Sequence, residues 1–236
     1  MPEITELQDL PDAPLAAYDT PVVMVGGGAV DDAQLETLAR HYPLIAVDSG
    51  ANHIHDMGLK AEMLIGDFDS VKPSGRDQIE KQIRIRDQNS TDFQKALKVI
   101  SAPKIYALGF LGKRTDHSLG ALHVLAEYLI AHDGERALIL VDPYELVVMQ
   151  RRAFSKKLPQ GIRLSFHSML PQRFMKTKGL VWPMNGFDVG TCFNLAICNQ
   201  VIIPPGEAEG DIQVEAHTDN DAPFAVLMDP SALSHF

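Results

Sequence analysis

The stretch Val22-Val23-Met24-Val25-Gly26-Gly27-Gly28 sets the pattern for the first half of the chain: four apolar residues, then three glycines. A short run with no polar alternation, closed by glycine, predicts a strand covered on both faces that ends in a turn. The pattern recurs outward from it. Leu44–Val47 ends at Asp48-Ser49-Gly50, and Met63–Ile65 ends at Gly66-Asp67-Phe68-Asp69-Ser70. Ile105–Leu108 runs into a loop, Gly109–His117, and Leu138–Val141 closes the series. Helical spacing lies between these runs. Residues 31–41 can form a helix, and Ser90 or Thr91 opens another with Phe93, Ala96, Leu97 and Ile100 at helix spacing. A third is expected to carry Leu119, Leu122, Leu125 and Leu129 on one side. Strands alternating with helices predict an α/β domain built on a parallel sheet, whose ligands bind beyond the carboxyl ends of the strands. Each glycine- or aspartate-rich turn falls at such an end.

After about residue 143 the rhythm changes to short runs such as Glu145–Met149, Ile162–Phe166, Leu180–Trp182 and Phe224–Met228, separated by turns rich in Pro, Gly and Asn. Closely spaced short strands predict an all-β sandwich or barrel. The expected division is a loosely attached lead over residues 1–19, an α/β domain over 20–143 and an all-β domain over 144–236.

Composition narrows the function. The chain has 236 residues, 45% of them hydrophobic, and a formal net charge of −10. No basic face emerges, which excludes nucleic acid as the expected partner. An acidic protein that meets a polyphosphate needs a metal between them. Residues 1–20 carry five acids and no base, unlike a secretory leader, and no apolar run approaches a membrane span. Cys192 and Cys198 are too few for a disulfide framework or a zinc site. A reduced, cytoplasmic protein is expected.

Several residues could carry chemistry. In Gly26-Gly27-Gly28, Gly27 and Gly28 could bring backbone amides close to phosphates, or serve only as a tight turn. Asp67 and Asp69, if their segment is extended, point the same way while Phe68 turns to the core, and paired carboxylates of this kind suit Mg²⁺. Asp92, at the mouth of the next helix, could be a third ligand or a base for an attacking hydroxyl. Arg114 could hold phosphate oxygens in bidentate fashion, with Asp116 orienting it or reaching the metal. His53 and His55, two apart on a helix, point to different sides and are expected to be ordinary helix residues.

Taken in order, these motifs resemble the thiamine pyrophosphokinase family. The resemblance comprises Gly-Gly-Gly after the first apolar run, Asp48-Ser49-Gly50-Ala51-Asn52, Ile65-Gly66-Asp67-Phe68-Asp69-Ser70 and Asp87-Gln88-x-x-Thr91-Asp92-Phe93 with Lys95-Ala96-Leu97. It continues through Gly109-x-x-Gly112-x-Arg114-x-Asp116-His117, Leu164-Ser165 and Thr177-Lys178-Gly179-Leu180-x-Trp182-Pro183. The resemblance implies an ATP-binding α/β domain followed by a β-sandwich, in a homodimer whose active sites lie between subunits. It implies that Asp67, Asp69 and Asp92 hold Mg²⁺ and the ATP phosphates, and that Arg114 and Asp116 complete the phosphate site. Gly27, Gly28, Asp48, Gly50, Ala51 and Asn52 would line the nucleotide pocket. Gln88, Thr91, Trp182, Cys198 and Asn199 would face thiamine, with Cys198 standing where the family usually has serine. The implied reaction moves diphosphate from MgATP to thiamine. Rival readings are a pterin-alcohol diphosphokinase, disfavoured by the thiamine-type second domain, a thiamine-binding protein without turnover, and a general nucleotidyltransferase.

Overall fold

The strands of the first half form a parallel sheet, as their unbroken apolar character requires. In a computed structural model, which describes residues 2–203 and 210–236, the chain divides into the units Met1–Pro143 and Tyr144–Phe236. The first contains β1 (Glu3–Leu7), β2 (Ala16–Ala17), β3 (Val22–Val25), α1 (Asp32–Ala39), β4 (Leu44–Val47), α2 (Gly50–Asp56) and β5 (Met63–Gly66). Then follow α3 (Pro73–Arg76), β6 (Lys81–Ile85), α4 (Asp92–Val99), β7 (Ile100–Ser101), β8 (Lys104–Leu108), α5 (Thr115–Ala131) and β9 (Ala137–Val141).

Strand order in this unit is β1-β6-β5-β4-β3-β8-β9, every neighbouring pair parallel. Every residue of β3, β4 and β5 is buried, because helices cover both faces of a parallel sheet. Burying each Val, Leu or Ile contributes about 1.5–3 kcal/mol, so this strip dominates the unit's stability.

Two features depart from the sequence expectation. Residues 2–19 do not hang loosely: β1 pairs in parallel with β6 from Glu3↔Lys81 to Leu7↔Ile85, and β2 pairs with β7. β6 itself is masked in sequence by Lys81, Arg84 and Arg86, although Gln82, Ile83 and Ile85 are buried. The helix faces also shift. α5 buries Ala121, Val124, Leu125 and Tyr128, while Leu119 is 57% exposed, so the leucine ladder sits off the true stripe. α4 buries Phe93, Lys95, Ala96 and Val99, and Ile100 has already left the helix for β7.

The second unit holds β10 (Leu146–Gln150), β11 (Ala153–Pro159), β12 (Arg163–His167), β13 (Gln172–Lys178), β14 (Phe187–Val189), β15 (Ala196–Gln200), β16 (Asp211–Thr218) and β17 (Phe224–Met228). A 3₁₀ turn, Pro230–His235, follows. These strands form two antiparallel layers, β10-β17-β12-β15 and β11-β16-β13-β14. Phe154 and Phe174 of one layer meet Phe166 and Phe224 of the other edge-to-face, with ring centroids 5.2–6.5 Å apart. The inner faces therefore interdigitate as a sandwich, as the sequence suggests.

Candidate active site

The site is built at the carboxyl ends of β4 and β5. Asp48 follows β4 in a left-handed conformation (φ 44°), and its amide donates to the Ile65 carbonyl at 2.9 Å. Gly66 permits this approach: a side chain there would press on Asp48. Carboxylate oxygens of Asp48, Asp67 and Asp69 lie within 4.8 Å of one another.

The Asp67–Asp69 segment is not extended. Phe68 is left-handed (φ 69°), and Asp67 Oδ1 accepts the Asp69 amide at 3.2 Å. A tight Asx-type turn, rather than strand alternation, brings the two carboxylates together. Phe68 is only half-buried, with the Arg84 guanidinium 6.0 Å from its ring centre. Arg84 also donates from Nε to the Asp67 carbonyl at 3.0 Å, and Asn52 accepts from the Lys72 amide and donates to the Ser70 carbonyl. The turn is thus clamped on both sides.

Asp92 joins the group through a residue that sequence reasoning gave no role. Lys95 is 2% exposed, and its Nζ lies 2.9 Å from Asp92 Oδ1 and 3.3 Å from Asp67 Oδ2. Its i,i+3 spacing from Asp92 on α4 was the available signal. Thr91 caps α4 by accepting the Gln94 amide, while the Gln94 side chain accepts the Thr91 amide; its hydroxyl is therefore committed to the helix.

The electrostatics differ among the four acids. Burial pushes Asp48 up to about 6, and the neighbouring charges of Asp92, Asp69 and Asp67 add to it. Asp48 Oδ1 is buried without a hydrogen-bond partner. Burial also raises Asp92, against the opposing pull of Lys95. Burial would raise Asp67 too, but the Asp69 amide and Lys95 outweigh it and hold the carboxyl below its usual value.

The glycine turn is closely packed. The amides of Gly28 and Ala29 donate to the carbonyls of Gly109 and Leu111 at 2.6 and 3.1 Å. A Cβ on Gly26 would come within 2.7 Å of the Gly109 carbonyl, and one on Gly27 would strike Ser49 Oγ. The glycines let two loops and the start of α2 close on one another, and Phe110 then stacks on Phe93 with centroids 3.9 Å apart. Gly50 and Ala51 are buried at the start of α2.

Arg114 and Asp116 form an exposed bidentate pair, with Nη2–Oδ2 at 2.6 Å and Nε–Oδ1 at 3.1 Å. The pair closes on itself rather than on the acidic cluster. Gln88 is exposed and donates to the Arg86 carbonyl at 3.2 Å. In the second unit, Asn199 is buried and holds the Trp182 main chain in both directions, while the Trp182 side chain is exposed. Cys198 is exposed and left-handed. His53 and His55 pair with Asp32 and Asp56 on the helix surface. A cavity of about 290 Å³ between α2 and α3, lined by residues including Ala51, Ile54 and Ile79, has no carboxylate in its wall.

The chain is similar to known proteins in sequence and in fold. Residues 35–138, which contain Asp48, Asp67, Asp69, Asp92, Lys95, Arg114 and Asp116, match the family model described as "Thiamin pyrophosphokinase, catalytic domain". Over those residues the chain belongs to the thiamin pyrophosphokinase family. Solved structures of the family share the fold of the whole chain. Thiamin pyrophosphokinase from Candida albicans superposes with a TM-score of 0.76 at 12% identity, covering 95% of each chain. The yeast thiamin pyrophosphokinase gives 0.74 at 15% identity, covering 99% of this chain and 93% of its own. Thiamine pyrophosphokinase from Bacillus subtilis gives 0.71 at 21% identity, covering 89% and 99%. A search of curated proteins by sequence finds no match.

Proposed function

We propose that the chain transfers a diphosphate group from MgATP to the hydroxyethyl oxygen of thiamine, releasing AMP. The observation that carries this reading is Asp48: a buried carboxylate oxygen without a partner, facing Asp67 and Asp69, in a domain of this family. Three carboxylates so placed repel one another unless a cation joins them. They fit Mg²⁺, which takes carboxylate oxygens and completes its shell with water and phosphate. Asp48, Asp67 and Asp69 would hold the ion, which supplies charge neutralisation to the triphosphate when bound.

The remaining steps belong to side chains. Asp92 already has Lys95 as its cation, so it stands beside the metal set rather than inside it. Burial makes it the more basic neighbour of Asp67, suited to receive the proton that the thiamine hydroxyl loses as its oxygen attacks the β-phosphorus. Arg114, oriented by Asp116, would turn to the phosphates, and Gly27 with residues 48–52 would line the nucleotide side. Gln88, Trp182 and Cys198 are assigned to thiamine. Asn199 acts by fixing Trp182, and Thr91 by fixing the start of α4. Positioning and charge neutralisation supply most of the catalysis in such transfers.

Exposed apolar side chains in the second unit, among them Trp182, Phe193, Leu195 and Ile197, support a homodimer. No helix among the described residues is long and apolar enough to cross a membrane. The two free cysteines suit a reducing compartment.

The test is ³¹P NMR of the purified protein with MgATP and thiamine, beside a tube with a pterin alcohol. AMP and thiamine diphosphate are expected together in the first tube. AMP in the pterin tube alone would overturn the substrate, and product in neither would overturn the activity.

A further inference from the structure

The cations of the first unit differ in what already holds them. Lys95 is buried between two carboxylates, and Arg114 spends Nε and Nη2 on Asp116. Lys113, one residue before Arg114, is exposed and donates from Nζ to the Gly27 carbonyl at 2.7 Å. Among the described residues it has no ion-pair partner. A carbonyl is a dipole, so this contact fixes the ammonium in place without cancelling its charge.

Its location matters as much as its charge. Gly27 lies against Ser49, whose neighbour Asp48 belongs to the carboxylate cluster. Lys113 is therefore tethered on the glycine turn, linked through Gly27 to Ser49, the residue next to Asp48. That turn cannot bind phosphates as a row of amides, because Gly28 and Ala29 already donate to the 109–111 loop. Gly112 is needed for the arrangement: it is left-handed (φ 87°), and a Cβ there would come within 2.8 Å of the Ala29 Cβ.

We infer that Lys113 binds the polyphosphate of the nucleotide, supplying from a side chain the positive charge that the glycine turn does not offer through its amides. The Gly27 carbonyl holds the ammonium in position, and the ammonium's other two N–H groups are directed to phosphate oxygens. This inference rests on the MgATP reading above.

The experiment measures MgATP and adenosine binding by calorimetry, and the KM for each substrate, in the wild-type protein and in Lys113→Ala, Lys113→Gln and Lys113→Arg. A lost charge-assisted contact should weaken MgATP binding by about 10- to 100-fold in Lys113→Ala. Adenosine binding and the KM for thiamine should stay within about twofold, a change too small to reflect a lost contact of that strength. Arg should restore MgATP binding and Gln should not, because Gln can bond the Gly27 carbonyl but brings no charge. If Gln rescues as well as Arg, Lys113 is only a brace for the glycine turn and the inference fails. If Lys113→Ala binds MgATP like the wild type, the inference fails while the MgATP reading stands. If the wild type itself does not bind MgATP, both fall.

Discussion

Two groups of carboxylates show how differently the molecule treats charge. In the second unit, Asp188 accepts two bonds of 2.7 Å from Arg173, and Asp219 accepts the Arg173 amide at 2.9 Å, all on the open surface. Each acid there has its donor, and water screens what remains. Around the ends of β4 and β5, one lysine pairs with two of four acids, and the most buried of the four has an oxygen with no partner. The first arrangement holds loops together. The second leaves negative charge uncompensated where solvent is scarce, which is unfavourable until a ligand supplies the missing cation. The contrast shows where to look for function: not where charges are dense, but where they are buried and short of partners.

The largest effect should come from removing the one cation the cluster owns. Lys95→Met leaves Asp67 and Asp92 facing each other partly buried, and should cost about 3–5 kcal/mol, read from urea unfolding. Unchanged stability would mean that the cluster is as tolerant as the surface group. Next, Asp69→Asn should lower kcat by about 100-fold or more while weakening ATP binding less, since the group acts on developing charge. Near-normal turnover with unchanged Mg²⁺ dependence would sink the metal assignment.

Asp48→Asn should do the opposite of Lys95→Met and stabilise the protein. The folded-state pKa of Asp48 is raised to about 6, so the folded protein holds that proton more tightly than the unfolded chain does. Stability is therefore lost as pH rises from about 4 to about 6, and by pH 7.5 the ionised group costs about 2–3 kcal/mol. The Asn variant should be more stable than the wild type at pH 7.5 without Mg²⁺ and equal to it at pH 4, by chemical denaturation at both values. Equal stability at pH 7.5 would show that Asp48 is no more burdened than a surface acid. The smallest effect belongs to the second unit, where Arg173→Ala should leave the urea midpoint unmoved, as exposed pairs usually do.

Much of the fold was legible because the central strands of a covered sheet are almost wholly apolar: β3, β4, β5, β8 and β9 announce themselves. β6 and β1 did not, because near the sheet edge Lys, Arg and Glu can turn outward while the partner residues stay covered. The acids were also legible, since Asp67, Asp69 and Asp92 fall at strand ends and helix mouths. What sequence could not give was the way they converge. The left-handed turn at Phe68, the tie of Asp48 to β5 and the insertion of Lys95 depend on pairings between distant segments. The glycine turn was legible as tight, but the partners of its amides were not, because the carbonyls they reach lie eighty residues away.

The parallel pairing of β1 with β6 has a consequence for how the chain must be assembled and handled. Glu3 pairs with Lys81, nearly eighty residues on, so β1 has no place in its sheet until β6 is there to receive it, a long-range pairing of the kind that slows folding. Trimming residues 2–19 as an expendable leader would leave β6 with a bare row of amides and carbonyls, an edge open to the same edge of another copy.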